Sequence, residues 1–171
     1  DGYGETSVAN LVAGIDARVV EGVARRRKGP IHWTAYAAPV AEALGRRGTK
    51  VKAKLDGKAF GEGWMAVASN LSLYAGILRI APRARFDDGL LDLCLFEGGS
   101  VPGFLKDLGL AVTGRHVTSP GVRYAQGRAI DLEGEPDSPV QVDGDLHGTL
   151  PVRITVQPGA LRVLGSGKGD R

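Results

Sequence analysis

One cysteine, one methionine and three histidines are all that this 171-residue chain offers to thiol and imidazole chemistry. A single thiol can close no internal disulfide and build no thiolate zinc site. Cys94 stands in the run Leu91-Asp92-Leu93-Cys94-Leu95-Phe96, where a thiol reads as a small buried hydrophobe rather than a nucleophile. This usage fits a reducing, cytoplasmic setting. His32, His116 and His147 lie in separate segments, so only the fold could gather them into a metal cluster or a triad. No apolar stretch reaches the ~20 residues of a membrane span, and no signal-peptide pattern opens the chain. The net charge of +3 is too small to argue for a nucleic-acid partner.

Familiar catalytic signatures are missing too. The chain has no G-x-x-x-x-G-K-[ST] loop, no G-x-G-x-x-G after a strand, no H-E-x-x-H and no G-x-S-x-G. Gly61-Glu62-Gly63 is too short to cradle a phosphate.

Glycine is abundant instead. Its 26 residues are about twice the usual share, which implies many tight turns and favours β structure over a helical bundle. With 43% hydrophobic and 24% charged residues the composition is that of an ordinary globular domain. At this length roughly two-thirds of the unfolded surface can be buried. Residues 1–164 read as one domain and Gly165–Arg171 as a flexible tail. The start at Asp1, without an initiator methionine, reads as an excised or processed piece.

The periodicity predicts an α+β fold, mainly β: an antiparallel β-sandwich body with a few helices, mostly in the N-terminal third. Thr6–Ile15 reads as a strand ending at Gly14, and Asp16 as the cap of a helix through Val19, Val20 and Val23. Arg25-Arg26-Arg27-Lys28 follows; it is either a solvated helix end or a contact for anionic headgroups. Ile31–Leu44 carries helical spacing. Val51, Ala53 and Leu55 alternate with lysines, and Asp56-Gly57 signals a hairpin with Trp64–Ser69 as a returning strand. Leu71–Ile80 follows as far as Pro82. Leu90–Phe96 is a predicted strand and Val101–Val112 a predicted amphipathic helix. Short extended segments then run through Val122–Ala125, Ala129–Leu132, Val140–Val142, Val152–Val156 and Leu161–Leu164, the punctuation of a sandwich or barrel.

Two acidic turns stand out, Arg85-Phe86-Asp87-Asp88-Gly89-Leu90-Leu91-Asp92 and Gln141-Val142-Asp143-Gly144-Asp145-Leu146. Taken alone, each reads either as a hairpin tip or as a carboxylate that glycine lets a metal or phosphate approach. Their surroundings are more specific. Asn70-Leu71-Ser72-Leu73-Tyr74-Ala75-Gly76, then Ile80-Ala81-Pro82-Arg83-Ala84, then Asp87-Asp88-Gly89-Leu90-Leu91-Asp92 resemble the central signature of the soluble diacylglycerol kinase-type lipid kinases, bacterial enzymes related to sphingosine kinases. Val140-Gln141-Val142-Asp143-Gly144-Asp145 and the segments after it resemble that family's closing strands. Gly14-Ile15-Asp16-Ala17 and the helix containing Tyr36 fit its upstream part.

The resemblance implies a kinase that moves the γ-phosphate of ATP to the hydroxyl of a lipid such as diacylglycerol, with Mg2+ and, as partner, a peripheral membrane surface at the inner face. It implies that the chain is the C-terminal, lipid-side domain. The family's Gly-Gly-Asp-Gly-Thr-type loop, which holds ATP on an N-terminal nucleotide-binding domain, has no match here, so the isolated chain is expected to be inactive. By position, the family's catalytic base falls on Asp145. The family has Glu there; Asp is one methylene shorter, a loss of ~1.5 Å in reach. The family's magnesium loop falls on the Asp88 carboxylate with the backbone carbonyls of Arg85 and Leu90, a site that would order the loop. Asp143 is expected to orient the turn that presents Asp145, and Asn70 to bond backbone groups at the entry to the Gly76 segment. Trp33, Tyr36, Trp64 and Tyr74 are either lipid-pocket lining or core, core being favoured for most. The alternative function is a non-catalytic lipid- or membrane-binding module of the same fold. An exposed strand edge would also permit a homo-oligomer.

Overall fold

The computed structural model of the chain describes residues 9–26, 37–45 and 50–160. In chain order these form β1 (Asn10–Gly14), α1 (Ile15–Arg26), α2 (Ala37–Gly45), β2 (Val51–Leu55), β3 (Lys58–Gly63), β4 (Met65–Ser69), β5 (Leu91–Phe96), α3 (Val101–Ala111), β6 (Val122–Gly127), β7 (Ala129–Glu133), β8 (Pro139–Val142), β9 (Asp145–Thr149) and β10 (Val152–Thr155). A six-stranded sheet of order β6-β5-β4-β1-β8-β9 lies on a four-stranded sheet of order β10-β7-β2-β3. Every strand pair is antiparallel. This is the mainly β, α+β sandwich expected. Among the described residues two of the three α-helices precede β2, and α3 follows β5.

Why the larger sheet forms is visible in its sequences. β1, β4 and β5 are buried at every residue, because alternate side chains enter two different cores. Leu11, Ala13, Ala66, Leu93 and Leu95 face the second sheet, where Val51, Ala53, Ile130 and Leu132 meet them. Val12, Met65, Val67, Cys94 and Phe96 point the other way, under Phe104 and Ala111 of α3 and under Ile80. Cys94 is therefore core, and burial pushes its thiol far above the ordinary range. His116 is also core. Its Nε2 lies 2.9 Å from the Ile80 carbonyl, which can only accept, so Nε2 carries the proton. Its ring stacks on Phe96, and burial holds its pKa below the usual value.

Gly14 joins β1 to α1 at a point where no side chain fits. Its φ is +98°, and a Cβ there would lie 2.1 Å from the Trp64 carbonyl oxygen, the oxygen that accepts from Ile15 N–H at 3.0 Å. This sharp exit places α1 beside β8. Asp16 falls inside the first turn of α1 rather than at its cap.

Three segments differ from the sequence reading. The strand returning from Asp56-Gly57 is β3, whereas Trp64–Ser69 crosses into the other sheet as β4. β3 reads Lys-Ala-Phe-Gly-Glu-Gly, and its mixed burial leaves no clean alternation. β9 has no periodic signature for a related reason: it is an edge strand exposed at every residue. Leu71–Ile80 is a chain of turns closed by one bridge, Tyr74 to Leu78. The predicted lysine face of β2 is present, with Lys50 bonded to Glu62 and Lys54 to Glu133 at 2.6 Å. Leu161–Leu164, Trp33, Tyr36 and most of Ile31–Ala37 lie outside the described residues.

Candidate functional site

At one end of the six-stranded sheet the outer face turns polar. Gln126 on β6, Asp92 on β5, Ser69 on β4 and Asn10 on β1 stand in register across four strands. Alternation places them on the same face as Tyr124, Cys94, Val67 and Val12. Gln141 on β8, opposite Val12, extends this polar face. Asn10, Ser69, Asp92 and Gln141 are all buried. Buried polar groups persist only when their hydrogen bonds are made, and here they are.

Three linked sets result. Tyr74 donates its hydroxyl to Asp16 Oδ2 at 2.6 Å, while Gln141 Nε2 donates to the same oxygen at 3.1 Å and to the Tyr74 hydroxyl oxygen at 2.6 Å. Ser69 Oγ donates to Asn10 Oδ1 at 2.6 Å, and the Asn10 N–H donates to Asp143 Oδ1 at 2.7 Å. Asp92 accepts from the Tyr124 hydroxyl and from Gln126 Nε2 at 3.2 Å. Burial raises the pKa of Asp16 above the usual carboxylate value, against the lowering effect of the Tyr74 and Gln141 bonds. Asp92 is raised likewise by burial, with Tyr124 and Gln126 opposing and the Asp88 charge adding to the rise. Arg83 lies over the Tyr124 ring at 5.6 Å, and its N–H donates to the Tyr124 hydroxyl oxygen at 3.2 Å.

Both acidic turns emerge at this end. Asp143 and Gly144 have φ of 49° and 99°, the two left-handed residues of a tight hairpin turn. The turn is tied down twice more: Asp143 N–H donates to the Asn10 carbonyl at 2.9 Å, and Gly144 N–H to Gln141 Oε1 at 2.7 Å. Asp145 opens β9 as an exposed residue. It pairs with Val142, so its side chain leaves the ribbon on the side opposite Gln141 and Asp16.

The other turn precedes β5. Asp88 Oδ1 accepts from the Leu90 N–H at 2.9 Å, Gly89 is left-handed at φ 69°, and Arg85 Nε bonds Asp87 Oδ1 at 3.3 Å. The donors available to a cation are the second Asp88 oxygen and backbone carbonyls, an all-oxygen set that suits a hard divalent ion retaining water. Among the described residues no three His, Cys, Asp or Glu side chains come together as metal ligands. β5 and β9 stand four positions apart in the sheet, roughly 19 Å at the usual strand spacing. The structure thus brings Asp88 and Asp145 to one end of the sheet without bringing them together.

Sequence reasoning missed Asp16, Gln141, Tyr124 and Gln126 as site groups and gave Tyr74 no polar role. One local signal was available, the amide of Gln141 set between Val140 and Val142 in a predicted strand; Asp16, Tyr124 and Gln126 carry none. The side chain bonding the backbone at the entry to the Gly76 segment is that of Ser69, whose Oγ accepts from the Leu71 N–H at 3.3 Å. Trp64 packs against Phe104 in the outer core. In the basic block Arg25 pairs with Glu21 at 2.6 Å and Arg26 with Glu42; Arg27 and Lys28 lie outside the described residues. These pairs line a cleft of about 280 Å³ between α1 and α2, which shares no residue with the polar end of the sheet.

Comparison with known proteins agrees with this architecture. The diacylglycerol kinase of Staphylococcus carnosus is 28% identical over 105 residues, covering 61% of this chain and 34% of that protein. The diacylglycerol kinase of Staphylococcus aureus (strain JH9) is 29% identical, covering 61% and 33%. A crystal structure of a diacylglycerol kinase from Bacillus anthracis superposes with a TM-score of 0.56 at 16% identity, covering 92% of this chain and 48% of that one, which is agreement of fold. The chain thus spans about a third of the length of these curated relatives. No helix among the described residues is long and apolar enough to cross a membrane. The sequence pattern described as "YegS C-terminal NAD kinase beta sandwich-like domain" matches residues 9–165, nearly the whole chain, and the chain belongs to that family.

Proposed function

We propose that this domain forms the lipid-side half of an ATP-dependent lipid kinase that phosphorylates the hydroxyl of a lipid such as diacylglycerol. The observation that carries the reading is the β8–β9 turn, whose bonds from Asp143 and Gly144 hold Asp145 out at the polar end of the sheet. Relatives named diacylglycerol kinase favour it over a non-catalytic lipid-binding module.

In this mechanism Asp145 accepts the proton of the lipid hydroxyl as its oxygen forms the new bond to the γ-phosphorus of ATP; the bond to the bridging oxygen breaks and ADP leaves. The Asp88 carboxylate and the carbonyls of Arg85 and Leu90 would hold Mg2+, whose contribution at that distance from Asp145 is to order the turn before β5. Asp16, bonded by Tyr74 and Gln141 on the other side of the β8–β9 ribbon, braces β8 behind the turn and takes no part in the transfer. The nucleotide is bound outside this domain, and the enzyme works at the inner membrane face.

The test uses the complete polypeptide encoded by the gene that carries this chain, with labelled ATP, magnesium and a panel of lipid alcohols. Asp145→Asn should lower kcat by about 100-fold or more with an unchanged unfolding midpoint. Wild-type rates in that variant would remove Asp145 from the mechanism, and no labelled lipid from folded wild type would remove the kinase reading.

A further inference from the structure

Seven large apolar side chains are exposed among the described residues, and four of them lie in the connection between β4 and β5: Leu71, Leu73, Ile77 and Phe86. Ile77 and Phe86 are the most exposed of all, at 68% and 72%. Arg79, Arg83 and Arg85 are interleaved with them, Arg83 and Arg85 on the same stretch as Phe86. We propose that this connection is a membrane-docking surface whose partner is a bilayer carrying anionic phospholipid.

The connection is a built surface. Tyr74 N–H donates to the Leu78 carbonyl at 2.7 Å and Leu78 N–H returns to the Tyr74 carbonyl at 3.0 Å. Ala75 and Gly76, with φ of 49° and 75°, make the tip of this small hairpin. Tyr74 and Leu78 pack inward on the outer core, and Ile80 and Ala81 are buried behind them. Ile77 is held outward as a consequence of that packing.

Apolar side chains raised on a rigid frame among arginines have the chemistry of an interfacial anchor: the hydrophobic groups enter the headgroup–acyl boundary and the cations meet anionic headgroups. The placement has a use. Tyr74 belongs to the same hairpin and bonds Asp16, so docking would bring the polar end of the sheet, from which Asp145 projects, to the membrane that holds the substrate. Arg85 bonds Asp87, so the cations this surface offers to headgroups are Arg79 and Arg83; at the end of α1 both Arg25 and Arg26 face carboxylates.

The binding test needs no kinase activity. The 171-residue chain should co-sediment with vesicles of phosphatidylcholine mixed with phosphatidylglycerol. Leu73→Ser/Ile77→Ser should weaken binding by about tenfold or more, as should Phe86→Ser. Arg79→Gln/Arg83→Gln should remove the preference for phosphatidylglycerol, each charge being worth roughly fivefold. A label on Ile77→Cys reports insertion directly, since Cys94 is buried; its emission should rise and shift to the blue with vesicles. Wild type that ignores the vesicles, or serine variants that bind like wild type, overturn the proposal. So does a wild type that ignores vesicles and runs as a dimer, which would assign the surface to a second copy.

A further arm rests on the kinase reading. In the complete polypeptide Leu73→Ser/Ile77→Ser should slow phosphorylation of vesicle-borne diacylglycerol and spare a short-chain diacylglycerol in solution. Failure of wild type on both substrates would sink the kinase reading alone, while the vesicle result would still decide the docking surface.

Discussion

On β1, β4 and β5 the inner face of the six-stranded sheet is apolar from end to end, while the outer face changes character along the same strands. Leu93 and Asp92 show the contrast most sharply: adjacent in β5, both buried, one faces the second sheet and the other faces Tyr124 and Gln126. Burial alone asks for nothing polar at either position. A buried carboxylate costs free energy unless it is fully bonded, and even then an apolar replacement is often no worse. The polar row of Gln126, Asp92, Ser69 and Asn10 is therefore poor as cement and good as a frame. It lies where the turns carrying Asp88 and Asp145 leave the sheet, and it fixes the backbone from which they project.

If that contrast holds, substitutions on the two faces should separate by size and by pH dependence. The largest loss belongs to the apolar face. Leu93→Ala removes a fully buried side chain between the sheets and should lower unfolding stability by about 2–5 kcal/mol, read from a denaturant midpoint at constant slope. A loss well below that would mean that the inter-sheet layer closes over the gap, and the two faces would then be less different than their chemistry implies.

A smaller and pH-dependent loss is expected from Tyr74→Phe. The variant keeps the ring in the outer core and removes the donor to Asp16, leaving a buried carboxylate with Gln141 alone at a penalty of about 1–3 kcal/mol. The Tyr74 bond favours the ionised form of Asp16, so the penalty should be largest at neutral pH and shrink as acid protonates the carboxyl. A pH-independent penalty would mean that the tyrosine acts by packing only.

Much of this frame is legible in the amino-acid sequence. The strands β2 and β10 and the helix α3 can be read there from a strong period, and β1 and β5 from short apolar runs, each with Gly, Pro or Asp near its ends. β3 and β9 cannot, since an exposed, glycine-containing edge strand has no buried face to write into its sequence. The acidic turns are legible through a family likeness. The Asp16–Tyr74–Gln141 set is not, because it joins residues 58 and 125 positions apart. Only the placement of β1 beside β8, and of the Tyr74 hairpin above them, makes those contacts, and local periodicity carries no information about such neighbours.

The smallest effect, and the one that sharpens the contrast most, should come from Asp92→Asn. Burial raises the Asp92 pKa in the folded protein above its usual value of 3.8. For a group raised in this way, stability is fully present below the unfolded value and declines as pH rises through the folded one. Wild type therefore carries a penalty at neutral pH that the uncharged amide does not, while the amide oxygen can still accept from Tyr124. Asn at this position should leave neutral-pH stability equal or slightly higher, by no more than about 1 kcal/mol. The difference between variant and wild type should move against the variant as pH falls toward 3.8. Paired denaturation curves of the two proteins across that range measure the difference directly and cancel the opposing contribution of His116, whose depressed pKa makes both proteins lose stability below its usual value of 6.5. A large loss at neutral pH would show that the ionised Asp92 holds the outer face together, and the polar row would then have to be counted as cement after all.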